Sequence, residues 1–174
     1  MAGDGADAIQ EAWRRELPDV PVDSIGVITR IWWAAKIFGD ERRRLLAELG
    51  IDMATLDLLS TLRRSGPPYR MSPSELASAS LVSRGAISQR VERAASSGLV
   101  TRERSGSGFH THAVSLTDEG NALVERAVAE LLDREQRLIG HLGATEQAQL
   151  ADLLRGLLAG LTAGRDTTLG QVGG

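Results

Sequence analysis

The sequence predicts a mainly α fold with a small β-wing, and three observations carry that prediction. Apolar residues recur at helical spacing through most of the chain. The helical runs begin at cap residues such as Asp, Ser and Thr, and several stop at Gly or Pro. Only two short stretches, 99–104 and 111–116, suit strands, and the linker 105–108 between them is Ser-Gly-Ser-Gly. With 174 residues, the length fits one domain with extensions, large enough to bury a core without disulfides.

Residues 5–16 can form a first helix, with Ile9, Ala12 and Trp13 on one face. Pro18 and Pro21 break it. Asp23 or Ser24 can cap a second helix running to about Glu48, with Ile25, Ile28, Trp32, Ile37, Leu45 and Leu49 as a broad apolar face. Gly50 ends it. Asp52 caps a third helix that buries Leu56, Leu59 and Leu62. Ser72-Pro73-Ser74-Glu75 opens a fourth, with a capping box and proline at the first helical position. Ser83 caps a fifth, which carries Ile87, Val91 and Ala94 on one side and stops at Gly98. The hairpin follows. Thr117 then opens a long helix to about Gly140, and Ala144-Thr145 opens a last one to about Leu161.

Two short capped helices, a β-hairpin and a long helix are the order of a winged helix-turn-helix. The helix after Ser83 takes the place of a recognition helix. Its polar face holds Ser83, Arg84, Ser88, Gln89 and Glu92. A capped helix start binds phosphate through its free amides. Arginine and glutamine are the side chains that reach guanine and adenine edges by paired hydrogen bonds. Between residues 81 and 110 five arginines (84, 90, 93, 102, 104) face only Glu92 and Glu103, although the whole chain has a net charge of −3. A local positive stretch in an acidic chain is the electrostatic footprint of nucleic-acid binding.

Composition excludes other classes. The chain lacks cysteine, which removes disulfides, thiol nucleophiles and thiolate-held zinc. The N-terminal stretch has no apolar run of a secretory signal, and no window approaches ~18 apolar residues, so a soluble, cytoplasmic protein without membrane association is expected. No phosphate-binding glycine loop, nucleophile elbow or HExxH motif is present, so no enzyme is expected. His110 and His112 share one face of a strand, but a solvated strand is the simpler reading and no metal is expected.

The segments LDLLSTLRRSG (56–66), SPSELASASLVSRGAISQRVERAASSGLVTRE (72–103) and VSLTDEG (114–120) resemble the MarR family of transcription regulators. With the flanking helices included, the likeness extends over nearly the whole chain. It implies a DNA-binding transcription regulator, expected to be a repressor, that works as a homodimer with intertwined N- and C-terminal helices. The implied target is double-stranded DNA with a pseudo-palindromic operator, one half-site per subunit. Ten apolar residues on the last two helices, such as Leu123, Leu131, Leu150 and Leu154, support an interface, because a small winged domain cannot cover them alone. The expected DNA-facing set is Ser72, Ser83, Arg84, Ser88, Gln89, Arg93, Arg104 and His110. The wing departs from the family pattern. Its tip has no arginine after Arg104, so its DNA contacts are weaker or fall in part to His110 and His112.

The expected organisation is an extra N-terminal helix and linker at 1–21, dimerisation segments at 22–50 and 117–163, the winged helix-turn-helix at 51–116, and a flexible tail at 164–174.

A narrower likeness is to the urate-responsive subgroup of that family, named for regulators of pectinase synthesis and of uricase. That subgroup has an extra N-terminal helix bearing a tryptophan, an aspartate in the helix after the dimerisation helix, and two arginines near the recognition helix and wing. Trp13, Asp57, Arg90 and Arg102 are residues of those types at the matching places. The resemblance implies an effector ligand, urate or a related purine, rather than a cofactor. An arginine fork holds a planar anion, an indole stacks on it, and a carboxylate meets its ring N–H groups. Two alternatives stay open: a regulator of the same fold answering a phenolic or other aromatic anion, and a winged-helix scaffold that binds protein instead of DNA.

Overall fold

The computed structural model describes residues 3–104 and 112–163. It divides into two compact units, Met1–Arg42 and Arg43–Gly174. The expected flexible tail, 164–174, lies outside the described residues.

The first unit contains α1 (Gly5–Glu16) and most of α2 (Asp23–Glu48). Asp4 caps α1, accepting from the amides of Ala6 and Asp7, while the Asp7 carboxylate closes the capping box. Both carboxylates also hold Arg30 of α2 at 2.8 Å. That guanidinium keeps the Asp4 and Asp7 carboxyls below the usual carboxylate range. Ala6 is the fully buried residue of α1; Ile9 and Trp13, read from the sequence as sharing one face, are 39% and 49% exposed. Helix α2 begins with Asp23 inside its first turn, so that residue does not cap it.

The second unit begins with the end of α2 and continues through α3 (Met53–Arg64), β1 (Arg70–Met71), α4 (Pro73–Ser80), α5 (Arg84–Ser96), β2 (Val100–Arg104), β3 (His112–Leu116), α6 (Asp118–Ile139) and α7 (Ala144–Thr162). The caps at Asp52, Ser72, Ser83 and Thr117 all form as their sequence signals require. The strands make one antiparallel sheet in the order β1-β3-β2. Strand β1 was not expected. Two residues carry too little pattern to be seen alone, and Arg70–Met71 is a strand only because Ser115 and Val114 of β3 pair with it.

One core joins these elements. Leu45 and Leu46 of α2 meet Leu56, Leu58, Leu59 and Leu62 of α3, Leu76 of α4, Ile87 and Val91 of α5, Val100 and Val114 of the hairpin, and Val124 and Leu131 of α6. The face of α5 predicted from Ile87, Val91 and Ala94 is the buried one. Two features then fix where α5 and the wing sit. Leu81, at φ 55°, closes α4 in the left-handed region and sends the chain sharply into the Ser83 cap. At the base of the wing, Thr117 donates from its hydroxyl to the Gly98 carbonyl at 2.7 Å, and its amide donates to Leu99 at 3.2 Å. Gly120 lies so close beneath this corner that a Cβ there would stand 1.9 Å from the Leu99 carbonyl oxygen.

Helix α7 differs from the rest. It has no buried residue, and its N-cap, Gly143, supplies no side-chain hydrogen bond.

Candidate functional site

The outer side of α5 is polar and shallowly concave. Ser88, Gln89, Glu92, Arg93 and Ser96, spaced along one face, line a groove of about 490 Å³. At the start of the helix, Ser83 Oγ accepts from the Ala86 amide at 3.3 Å, and Arg84 donates to Ser74 Oγ at 3.4 Å. Ser72 caps α4 in the same way, accepting from Glu75 at 3.2 Å while its amide donates to the Glu75 carboxylate at 2.7 Å. Those bonds to Ser72 hold the Glu75 carboxyl below its ordinary range. The two helix starts therefore present ordered hydroxyls and amides in the helix-turn-helix.

Arginines tie α5 to its surroundings. Arg93 Nη1 lies 3.0 Å from Asp52 Oδ2, the cap of α3. Arg90 Nη1 lies 2.6 Å from Asp57 Oδ2, and this pair is largely shielded, with 21% and 11% of the side chains exposed. The other oxygen of Asp57, Oδ1, is buried and accepts no hydrogen bond among the described residues. Arg102, on β2, turns to Glu92 of α5 at 2.5 Å.

Asp57 and Arg90, 33 positions apart, are thus brought into contact. Arg102 is engaged elsewhere, by Glu92, a residue the sequence placed on the polar face of α5 without a partner. The sole sequence signal for that contact is opposite charge on either side of the Gly98 turn. Trp13 belongs to the first unit, on α1. Ser83, Arg84, Ser88, Gln89 and Arg93 lie on α5 or its cap, and Ser72 on the cap of α4. Arg104 ends β2, paired in register with His112. His110 and the tip of the wing lie outside the described residues. Among the described residues no group of His, Asp or Glu could hold a metal ion.

Residues 49–108, from just after α2 past the first strand of the wing, match the model of the MarR family. That segment, about a third of the chain, is similar to the MarR family. It is 28% identical over 149 residues to the HTH-type transcriptional regulator PecS of Dickeya dadantii, spanning 86% of this chain and 89% of that one. Its fold is similar to that of Sco3205, a MarR family regulator from Streptomyces coelicolor solved in complex with DNA. That likeness has a TM-score of 0.64 at 26% identity and covers 83% of this chain and 95% of the other. A mutant MarR from E.coli complexed with operator DNA superposes with a TM-score of 0.61 at 26% identity, over 84% and 97% of the two chains. PecS and Sco3205 are transcriptional regulators. No helix among the described residues is long and apolar enough to cross a membrane.

Proposed function

We propose that this MarR-family regulator is a cytoplasmic homodimeric repressor that releases a pseudo-palindromic operator when it binds an aromatic anion, urate or a related purine. Helix α5 lies in the major groove, with Ser83, Arg84, Ser88 and Gln89 facing bases and phosphates. Ser72, Arg93 and the wing residues Arg104 and His110 contact the backbone. The polar side chains along the outer face of α5 and the DNA complexes among its structural relatives support this placement.

The homodimer is supported by what a single chain leaves uncovered. In α7, Leu150, Leu153, Leu154, Leu158 and Leu161 are all exposed, and so are Val27, Ile28, Trp32, Ile37 and Phe38 of α2. Large apolar residues exposed in groups along a helix mark interaction surfaces. The dimerisation segments are those read from the sequence, 22–50 and 117–163, and the wing domain is 51–116.

The observation that carries the ligand reading is Asp57. It grips Arg90 of α5 with one oxygen and leaves the other buried without a donor. A carboxylate oxygen in that state lacks the hydrogen bond that buried polar atoms normally find, and a ring N–H of a purine supplies it. The purine's anionic edge is drawn to Arg90 and Arg102, and the family resemblance adds the indole of Trp13 to the ligand set. A ligand that engages Arg90 acts on the helix that reads DNA, and it shifts the equilibrium by its preference for the non-binding arrangement.

The test is direct. The purified protein is expected to bind mixed-sequence duplex DNA with an affinity that falls steeply with salt. Millimolar urate is expected to raise its thermal midpoint and release the DNA. Binding and release by salicylate but not urate moves the assignment to the phenolic alternative. The absence of any salt-dependent DNA binding leaves the protein-binding scaffold.

A further inference from the structure

Glu92 is an acidic residue on the face of α5 that should meet DNA. It shares one groove with Ser88, Gln89 and Ser96. An uncompensated carboxylate there faces phosphates of the same charge, which opposes binding. The structure shows what compensates it: Arg102 Nη1, 2.5 Å away, reaching across from β2. Its neighbour Arg93 is already engaged by Asp52. We propose that Arg102 is a positioning residue that keeps Glu92 neutral toward DNA. Glu92 is then a repulsive charge built into the recognition face and exposed whenever Arg102 is drawn away. This rests on the reading of α5 as the DNA-facing helix.

The pair is exposed, 39% for the arginine side chain and 68% for the glutamate. An ion pair so open to water adds little to stability and exchanges partners readily. Those properties suit a switch. Any anion that captures the Arg102 guanidinium exposes Glu92 at the same moment, so one binding event both occupies a cation and creates a repulsive charge. Arg90, by contrast, is held by the shielded Asp57 and is harder to detach.

A rival role for Arg102 is direct contact with a DNA phosphate, and a rescue experiment separates the two. Affinity for a mixed-sequence duplex is measured over a range of salt for four proteins: the unmodified chain, Arg102→Gln, Glu92→Gln, and the double variant. Arg102→Gln is expected to weaken binding by about threefold to tenfold at low salt, because it strips Glu92 of its counter-charge. Glu92→Gln alone is expected to tighten binding about threefold, by leaving an unpaired cation near the DNA. The double variant is expected to return to the affinity and the salt dependence of the unmodified chain. If Arg102 instead touches a phosphate, both proteins lacking it lose about one unit of log–log salt slope, and Glu92→Gln does not restore it. That result overturns the proposal while leaving the DNA-binding reading intact. If the unmodified chain itself shows no salt-dependent binding, that reading fails and the proposal with it.

Discussion

In α3, Leu56, Leu58, Leu59 and Leu62 are all buried within the chain, while in α7 Leu150, Leu153, Leu154, Leu158 and Leu161 are all exposed. Both helices are leucine-rich and amphipathic, and both are regular. The difference lies in what each leucine face meets. The α3 face closes on α2, α4, α5 and α6 in the same chain. No residue of the α7 face is buried among the described residues. Leucine periodicity therefore reports that a face will be covered, not what covers it. In this molecule one face holds the winged helix together, and the other is left exposed.

The comparison is tested most severely in the core. Leu59 is fully buried. Leu59→Ala should cost about 2–5 kcal/mol, from lost burial and the cavity left behind. Chemical denaturation at a fixed protein concentration measures it. A cost near that of a surface substitution means the core around α3 is misplaced. The matching change in α7 should act differently. Leu153 is 73% exposed, so Leu153→Lys should leave the fold of the chain intact. It should weaken self-association at least about tenfold, by placing two like charges in an apolar interface. Sedimentation analysis across concentrations reads this. An unchanged mass with unchanged dissociation removes α7 from the interface.

Gly120 is a sharper probe of the side that folds. A methyl group there would overlap the Leu99 carbonyl, which is backbone and cannot swing aside. Gly120→Ala should destabilise by about 1–3 kcal/mol. It should also loosen the corner where Thr117 ties the end of α5 to the wing, so DNA affinity falls together with stability. Full stability with normal DNA binding would mean that this corner tolerates displacement.

These contrasts follow what was legible in the sequence. The caps were legible because each is a contact within three residues: Asp52 to Thr55, Ser72 to Glu75, Ser83 to Ala86, Thr117 to Gly120. The buried face of α5 was legible from spacing. The Asp57–Arg90 contact was not, since 33 positions separate the two and only resemblance to a family set them in one site. The attachment of Arg102 to Glu92 escaped altogether, because it depends on how β2 leaves the Gly98 turn. Strand β1 escaped because its partner, not its own residues, makes it a strand.

The caps also distinguish the two regions, and that of α3 titrates. Asp52 accepts from the Thr55 amide at 2.7 Å. Hydrogen bonds from Thr55, aided by the nearby charges of Arg93 and Arg90, hold its carboxyl below the usual aspartate value. Asp52→Ala should cost about 1 kcal/mol at neutral pH. Because the folded value is depressed, the charged cap stabilises fully above the unfolded value of about 3.9 and loses its effect as pH falls through the folded one. Unmodified and Asp52→Ala proteins should therefore differ at pH 7 and converge in acid. A pH-independent difference would assign the loss to packing.

The smallest effect belongs to the cap that α7 lacks. Gly143 sits at φ −67° and ψ 162°, which any L-residue adopts, and a Cβ there would meet Glu146 Oε2 at 3.6 Å, an ordinary contact. Gly143→Ser adds a hydroxyl for the free first-turn amides and should gain only a few tenths of a kcal/mol, because glycine is itself an acceptable N-cap. Where that gain appears depends on whether a partner holds α7. In the dimer the helix unfolds with the whole, so the thermal midpoint should rise slightly. In the Leu153→Lys chain, with no partner to hold it, α7 opens on its own, so the midpoint should stay fixed while amide exchange in α7 slows by no more than about twofold. A rise in the midpoint of both proteins would show that α7 unfolds together with the winged helix even in the isolated chain, and that its exposed leucines are not what couples it to the rest.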